Sequence, residues 1–217
     1  MFNRKEIAWI IIVALIFGFL IAFSYESESE SESEALIFND SLIVFLISFL
    51  IILTSVFIKK LAVKYFSVDI QFQIWKFKRY GWYTRSHFKK PIPIGLILPF
   101  FLTIMSLGII KPFTFLQFKS KPAITRILKK RGAHRREEVN ESDIAFISAW
   151  GLWGLIVLAI IGSLINFPDL TKYAIYFGIW NLLPISNLDG AKLFFGSLFN
   201  WILLVIAYII ALLVIII

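Results

Sequence analysis

Long apolar runs, separated by short charged segments, dominate the hydrophobic pattern of the chain. Six runs stand out: 7–24, 41–58, 92–110, 144–165, 170–183 and 193–217. A helix needs about 17–25 mostly apolar residues to cross a bilayer. The first run, preceded by Arg4 and Lys5, is longer than the roughly 7–15 apolar residues of a signal peptide and has no small-residue cleavage site after it. The pattern therefore predicts an all-α, polytopic membrane helix bundle whose first helix is retained.

The third run, 92–110, differs from the others because it carries prolines. Pro93 and Pro99 lie inside it and Pro91 just before it, and each proline removes a backbone donor and disturbs a helix. Basic segments flank the run on both sides, with nine Lys or Arg in 59–90 and nine in 111–143. The positive-inside rule places both segments in the cytoplasm. We therefore expect 92–110 to be a re-entrant element with short strands possible nearby.

The remaining runs then give about five spans, with the N-terminus in the cytoplasm and the C-terminus outside. An acidic segment of alternating Glu and Ser, 26–34, follows the first helix. Its like charges repel and nothing in it can be buried, so we expect a solvated loop outside the cell. The predicted organisation is an N-terminal helix with this loop over 1–40, a membrane core over 41–200, and a C-terminal membrane helix over 193–217.

Composition narrows the class of protein further. The chain is 59% hydrophobic and 17% charged, against about 45–50% and about 25% in a soluble domain. It has no cysteine, which excludes disulfides and thiolate metal sites. The net charge is +8, and the basic residues that cause it lie beside the apolar runs. Anionic lipid headgroups rather than nucleic acid are therefore the expected partners.

The fifth run ends in the segment with the most chemical information, N-L-L-P-I-S-N-L-D-G over 181–190. Pro184 ends the helix, Gly190 permits an unusual turn, and Asp189 lies between them. Asn181 and Asn187 can satisfy backbone groups that the break leaves free. An acid within a membrane segment is expensive and usually functional. The alternative is a helix end at the interface, with Asp189 in water.

This segment resembles the N-x-x-P-x-x-x-L-D-G motif of the site-2 protease family of intramembrane zinc metalloproteases. The five matching positions are Asn181, Pro184, Leu188, Asp189 and Gly190. In that family the aspartate is the third zinc ligand, so the resemblance implies this role for Asp189. It also implies a site-2-protease-like membrane core.

A second, weaker resemblance lies on the preceding helix. The family has a small-residue segment there that ends A-G-P-x-x-N. Gly151 matches it, but Leu152 stands in place of the usual proline and Leu155 in place of the usual asparagine.

The catalytic half of the family pattern is missing. In zinc proteases of this kind H-E-x-x-H puts two zinc ligands on one helix face, and its glutamate activates the water. Aligned on the second run, Ser55 and Lys59 stand at the two histidine positions and Val56 at the glutamate position. A valine cannot accept a proton, and an ammonium group cannot ligate zinc. We therefore expect no cofactor, and an ion pair between Lys59 and Asp189 in place of the metal.

The leading hypothesis is a catalytically inactive homologue that binds transmembrane segments of client proteins or stabilises a membrane assembly. One alternative is an active protease with displaced zinc ligands, in which His87 and His134 join Asp189. Both histidines lie in strongly basic segments, which disfavour a divalent cation. A further alternative is a small transporter or channel subunit that uses Asp189 in the broken helix as an ion site.

Overall fold

The computed structural model describes residues 3–26, 34–66, 68–79, 87–106, 109, 111–122 and 139–216. Most of these residues are helical, as the apolar runs predict. The helices are α1 (Arg4–Glu26), α2 (Glu34–Phe66), α3 (Ile94–Met105), α4 (Glu141–Leu164), α5 (Pro168–Leu182), α6 (Asp189–Gly196) and α7 (Leu198–Ile216). The strands are β1 (Val68–Ile74), β2 (Phe77–Arg79), β3 (His87–Ile92) and β4 (Leu116–Pro122).

Among the described residues, four helices are long and apolar enough to cross a membrane. These segments are Arg4–Ala22, Leu42–Phe66, Glu141–Leu164 and Leu198–Ile215. Many of their large side chains are exposed, such as Leu46 at 68% and Val214 at 71%. Exposed aliphatic surface of this extent is stable in lipid and not in water. The helices therefore indicate an integral, multi-pass membrane protein.

The third apolar run folds in two parts. Ile92 is the last residue of β3, and Ile94–Met105 form α3, whose 12 residues make it shorter than a spanning helix. Pro99 lies inside α3, and Thr103 donates a hydrogen bond to the Pro99 carbonyl oxygen over 2.7 Å. A re-entrant path for this segment remains a prediction.

The short strands that the sequence allows are present as two ribbons, β1 with β4 and β2 with β3. β2 and β3 are antiparallel, with Phe77 opposite Ile92 and Arg79 opposite His87. In β1 burial alternates along the strand, since Val68, Ile70, Phe72 and Ile74 are buried. This period of two places the apolar side chains on one face of the ribbon.

The chain divides into two compact units. The first comprises Met1–Leu50 and Gln73–Gln117, and the second Ile51–Phe72 and Phe118–Ile217. In the first unit, Phe17 packs against Phe113, with 4.4 Å between ring centroids. In the second unit, α4 packs against α5, α6 and α7.

Two breaks interrupt the last two apolar runs. The break after α5 falls within 181–190, as the sequence predicts. The sixth run, 193–217, is not one continuous helix: Ser197 is extended and separates α6 from α7, and the C-terminal candidate span begins at Leu198. Gly196 lies next to this break, and a Cβ there would lie 2.6 Å from the Glu141 carbonyl oxygen. The chain thus approaches the α4 backbone closely before it turns into α7.

Candidate functional site

The site begins with a buried polar face on α2. Ser55 and Lys59 are 4% and 6% exposed, and Val56 is 3% exposed. Residues four apart lie on the same face of a helix, so Ser55 and Lys59 point in the same direction. A lysine with so little exposure in a candidate span needs a partner, because an unpaired charge is costly at membrane depth.

The opposite side of the site comes from the break between α5 and α6. Helix α5 ends at Leu182, and Ser186 turns the chain with a φ of 52°. Leu188 and Asp189 are then buried again, at 0% and 2% exposure. Asp189, the first residue of α6, therefore lies inside the second unit rather than at an interface with water.

Each remaining motif residue has a definite place in this break. Asn181 donates a hydrogen bond from Nδ2 to the Phe177 carbonyl oxygen over 2.8 Å, within the last turn of α5. Pro184 is exposed and follows the end of that helix. At Gly190 a Cβ would lie only 2.5 Å from the Leu183 carbonyl oxygen. Only glycine lets the first turn of α6 approach the end of α5 this closely.

A buried ion pair joins the two sides. The Lys59 ammonium group donates a hydrogen bond to Asp189 Oδ2, and the two side chains are 7% and 2% exposed. This contact confirms the pair that the sequence analysis predicts. Removing two charges from water is expensive, and their attraction offsets the cost only when each meets the other directly.

Helix α4 provides the surface over which the lysine reaches Asp189. A Cβ at Gly151 would lie 2.7 Å from Lys59 Cγ, so the missing side chain makes room for the lysine stem. The two departures from the family segment, Leu152 and Leu155, are buried at 1% and 0% exposure. The Leu152 carbonyl oxygen accepts a hydrogen bond from the Tyr208 hydroxyl over 2.8 Å.

A second lysine, Lys192, completes the site and is not among the residues that the sequence predicts. Lys192 Nζ lies 4.0 Å from Asp189 Oδ1. It donates a hydrogen bond to the Phe118 carbonyl oxygen over 2.9 Å and lies 3.2 Å from the centroid of the Phe118 ring. Its position three residues after Asp189, on the same helix face, was the one available signal. The contact with β4 spans 74 residues and has no sequence signature.

The charge of Lys192 depends on its surroundings. Burial lowers the pKa of Lys192 from 10.5 to about 7. Asp189 opposes this decrease, and Lys59 adds to it. Beside the Lys59–Asp189 pair, Lys192 is therefore a second amine that loses its charge more easily than an ordinary lysine.

This set of residues does not fit a zinc ion. Asp189 is one anionic ligand, and an ammonium group occupies its Oδ2 atom. A catalytic zinc site usually has three protein ligands, and the described residues contain no group of three or more His, Cys, Asp or Glu that could hold a metal. His87 begins β3 in the first unit, and His134 lies outside the described residues. No hydrolytic step through zinc follows from these residues.

Comparisons with protein-family models, with curated proteins and with solved structures find no match to this chain.

We predict that Lys59 and Asp189 are energetically coupled. Lys59→Met and Asp189→Asn should each destabilise the protein by about 3–5 kcal/mol, because each leaves the partner buried without its counter-charge. The double variant should be more stable than the sum of the two losses implies, by about 0.5–3 kcal/mol. Unfolding in a mild detergent measures all three variants.

Lys64→Met is the matched control, since Lys64 lies on the same helix but is exposed. It should change stability by no more than about 0.5 kcal/mol. Strictly additive losses for Lys59→Met and Asp189→Asn would contradict the coupling.

Proposed function

We propose that this protein is a membrane protein with a site-2-protease-like core that binds transmembrane segments of client proteins without hydrolysing them. The observation that carries the proposal is the buried pair between Lys59 and Asp189. In the aligned family pattern, Lys59 stands where the second histidine ligand would be, and Asp189 stands where the aspartate ligand would be. The ion pair joins these two positions.

The chemistry of the site supports binding rather than hydrolysis. Peptide hydrolysis at such a site needs a metal to activate water and a general base to accept its proton. Val56 has no basic atom, and Lys59 has its ammonium group committed to Asp189. Lys59 and Asp189 thus still hold α2 and α6 together. The groups that would act on a peptide bond, a glutamate and two histidines, are replaced by Val56, Ser55 and Lys59.

The surface beside the site supports an apolar partner. Ile185 lies in the break before α6 and is 44% exposed. Phe195 and Phe199 lie at the end of α6 and the start of α7 and are 76% and 74% exposed. Large exposed apolar side chains are typical of interaction sites. A hydrophobic client helix would bury them.

The orientation in the membrane belongs to the same proposal. The N-terminus and both basic segments lie in the cytoplasm, where they contact anionic lipid headgroups. The segment 92–110 does not cross the bilayer. The C-terminus lies outside, which requires α5, at 15 residues shorter than the four candidate spans, to cross as a fifth span.

Restoring the catalytic motif tests the proposed relationship to zinc proteases. The triple variant Ser55→His, Val56→Glu, Lys59→His creates H-E-F-I-H opposite Asp189. If the scaffold is site-2-protease-like, the purified triple variant should bind about one zinc per chain, because two histidines and Asp189 complete a three-ligand site. Metal analysis after dialysis measures this. The same variant with Asp189→Asn is the control and should retain less zinc, and equal zinc in both would contradict the arrangement.

Photo-crosslinking in cells tests client binding. A photoreactive phenylalanine analogue at Ile185 should capture intact single-pass membrane proteins. The same analogue at Leu213, which is exposed at 51% on α7, serves as the control and should capture few. Equal capture at both positions would contradict a specific client surface. Captured fragments that end within a membrane segment would contradict the absence of hydrolysis.

The absence of cysteine from the chain makes the orientation testable by single-cysteine labelling. Lys76→Cys and Lys121→Cys, at exposed positions, should both be protected from a membrane-impermeant maleimide in intact cells and should react after permeabilisation. Ser31→Cys, in the acidic segment, should react in intact cells. The unmodified chain controls for background labelling. Opposite behaviour of Lys76→Cys and Lys121→Cys would show that 92–110 crosses the membrane.

A further inference from the structure

The second unit contains an apolar groove away from the ion pair. Helices α4, α5 and α7 line it, and its volume is about 830 Å³. Small side chains shape it, since Ala159 comes from α4 and Ala207 and Ala211 from α7. Exposed aliphatic residues, Ile160 at 54% and Ile210 at 56%, border it. The proposed function does not use this groove.

The lining is polar at one end. Ser163 and Asn166 lie where α4 turns into α5, and both are exposed. Asn166 has a φ of 57°, which turns the chain there, and the next amide, that of Phe167, donates a hydrogen bond to the Gly162 carbonyl oxygen over 2.9 Å. The Thr171 hydroxyl, also in the lining, donates to the Ala159 carbonyl oxygen over 3.0 Å. The Ser163 hydroxyl and the Asn166 amide are thus the polar groups that face outward at this end.

The distribution of polarity matches an amphipathic ligand with one polar end. The described residues that line the groove include no charged side chain, so the ligand's polar end is held by neutral donors and acceptors. Two of the lining helices, α4 and α7, are candidate membrane spans, and the groove therefore opens toward lipid. We propose that this groove is a binding site for one membrane glycerolipid, with an acyl chain along the alanine-lined floor and the ester oxygens at Ser163 and Asn166.

The size of the groove favours an acyl chain over a client helix. A helix of about 20 residues is about 30 Å long and about 10 Å wide, which corresponds to a cylinder of about 2,400 Å³. The groove, at about 830 Å³, falls within the roughly 300–1,000 Å³ of small-molecule sites. It would enclose a lipid chain but only part of the surface of a helix.

Photolabelling of the whole chain tests the proposal. The purified protein in a mild detergent is incubated with increasing amounts of phosphatidylcholine that carries a diazirine in its acyl chain. Labelled residues are mapped by mass spectrometry. We expect labelling to concentrate on the groove residues of α4 and α7, to saturate as the probe concentration rises, and to decrease when unlabelled phosphatidylcholine competes. Ala211→Trp, which fills the groove, should decrease this labelling about tenfold, and Ser163→Ala with Asn166→Ala should decrease it less.

Leu213→Trp is the matched control, because it adds an indole to an exposed position of α7 outside the groove, and it should leave the labelling unchanged. If Ala211→Trp fails to fold, Ala207→Phe replaces it, and saturation in the wild-type protein is an independent readout. Uniform, non-saturable labelling of all spans would overturn the proposal, as would labelling that persists in a folded groove-filling variant. Displacement of the lipid by a polyleucine transmembrane peptide, without displacement by phosphatidylcholine, would assign the groove to a client helix instead.

Discussion

The ion pair between Lys59 and Asp189 is the interaction on which the arrangement of the second unit depends. Both side chains are almost fully buried, and neither charge can be left there alone without a penalty of several kcal/mol. The pair therefore fixes the rotation of α2, which must present Lys59 inward. It also requires the chain to break before α6 so that Asp189 returns to the interior. A hydrophobic pair at these positions would impose neither requirement, because apolar contacts are not directional.

Two glycines make this pairing sterically feasible. Because Gly151 has no side chain, the aliphatic stem of Lys59 can pack directly against the α4 backbone. Because Gly190 has none, the first turn of α6 can contact the end of α5. In both places the glycine is needed for close approach. A larger residue at position 151 would displace the Lys59 ammonium group from the Asp189 carboxylate. The small-residue segment of α4 is therefore needed for the ion pair. The resemblance identifies both glycines, and the contacts explain why those positions are small.

Much of the helical architecture could be predicted from the sequence, because membrane helices are local features that continuous apolar runs reveal. The pairing of Lys59 with Asp189 could also be predicted, since a buried acid requires a partner and the resemblance places Lys59 at a position that would share a site with Asp189. The break at Ser197 could not, because the apolar pattern continues through it. Gly196 beside this break lies against the α4 backbone, and a contact of that kind depends on tertiary structure. The hydrogen bond from Lys192 to Phe118 was missed for the same reason, since it joins distant segments without any periodic pattern.

The balance of charge around Asp189 constrains what the site can bind. In a zinc site the aspartate would share its charge with a dication and neutral histidines. Here Lys59 already neutralises it, and Lys192 lies 4.0 Å away as a second amine. A divalent cation that entered this site would have to displace the Lys59 ammonium group from the carboxylate and leave that charge buried beside it, at an electrostatic cost that a single carboxylate cannot offset. An added positive charge is therefore excluded more strongly than an apolar helix that packs beside the site. This asymmetry follows from the residues themselves, and it is the physical reason for proposing client binding rather than metal-dependent hydrolysis.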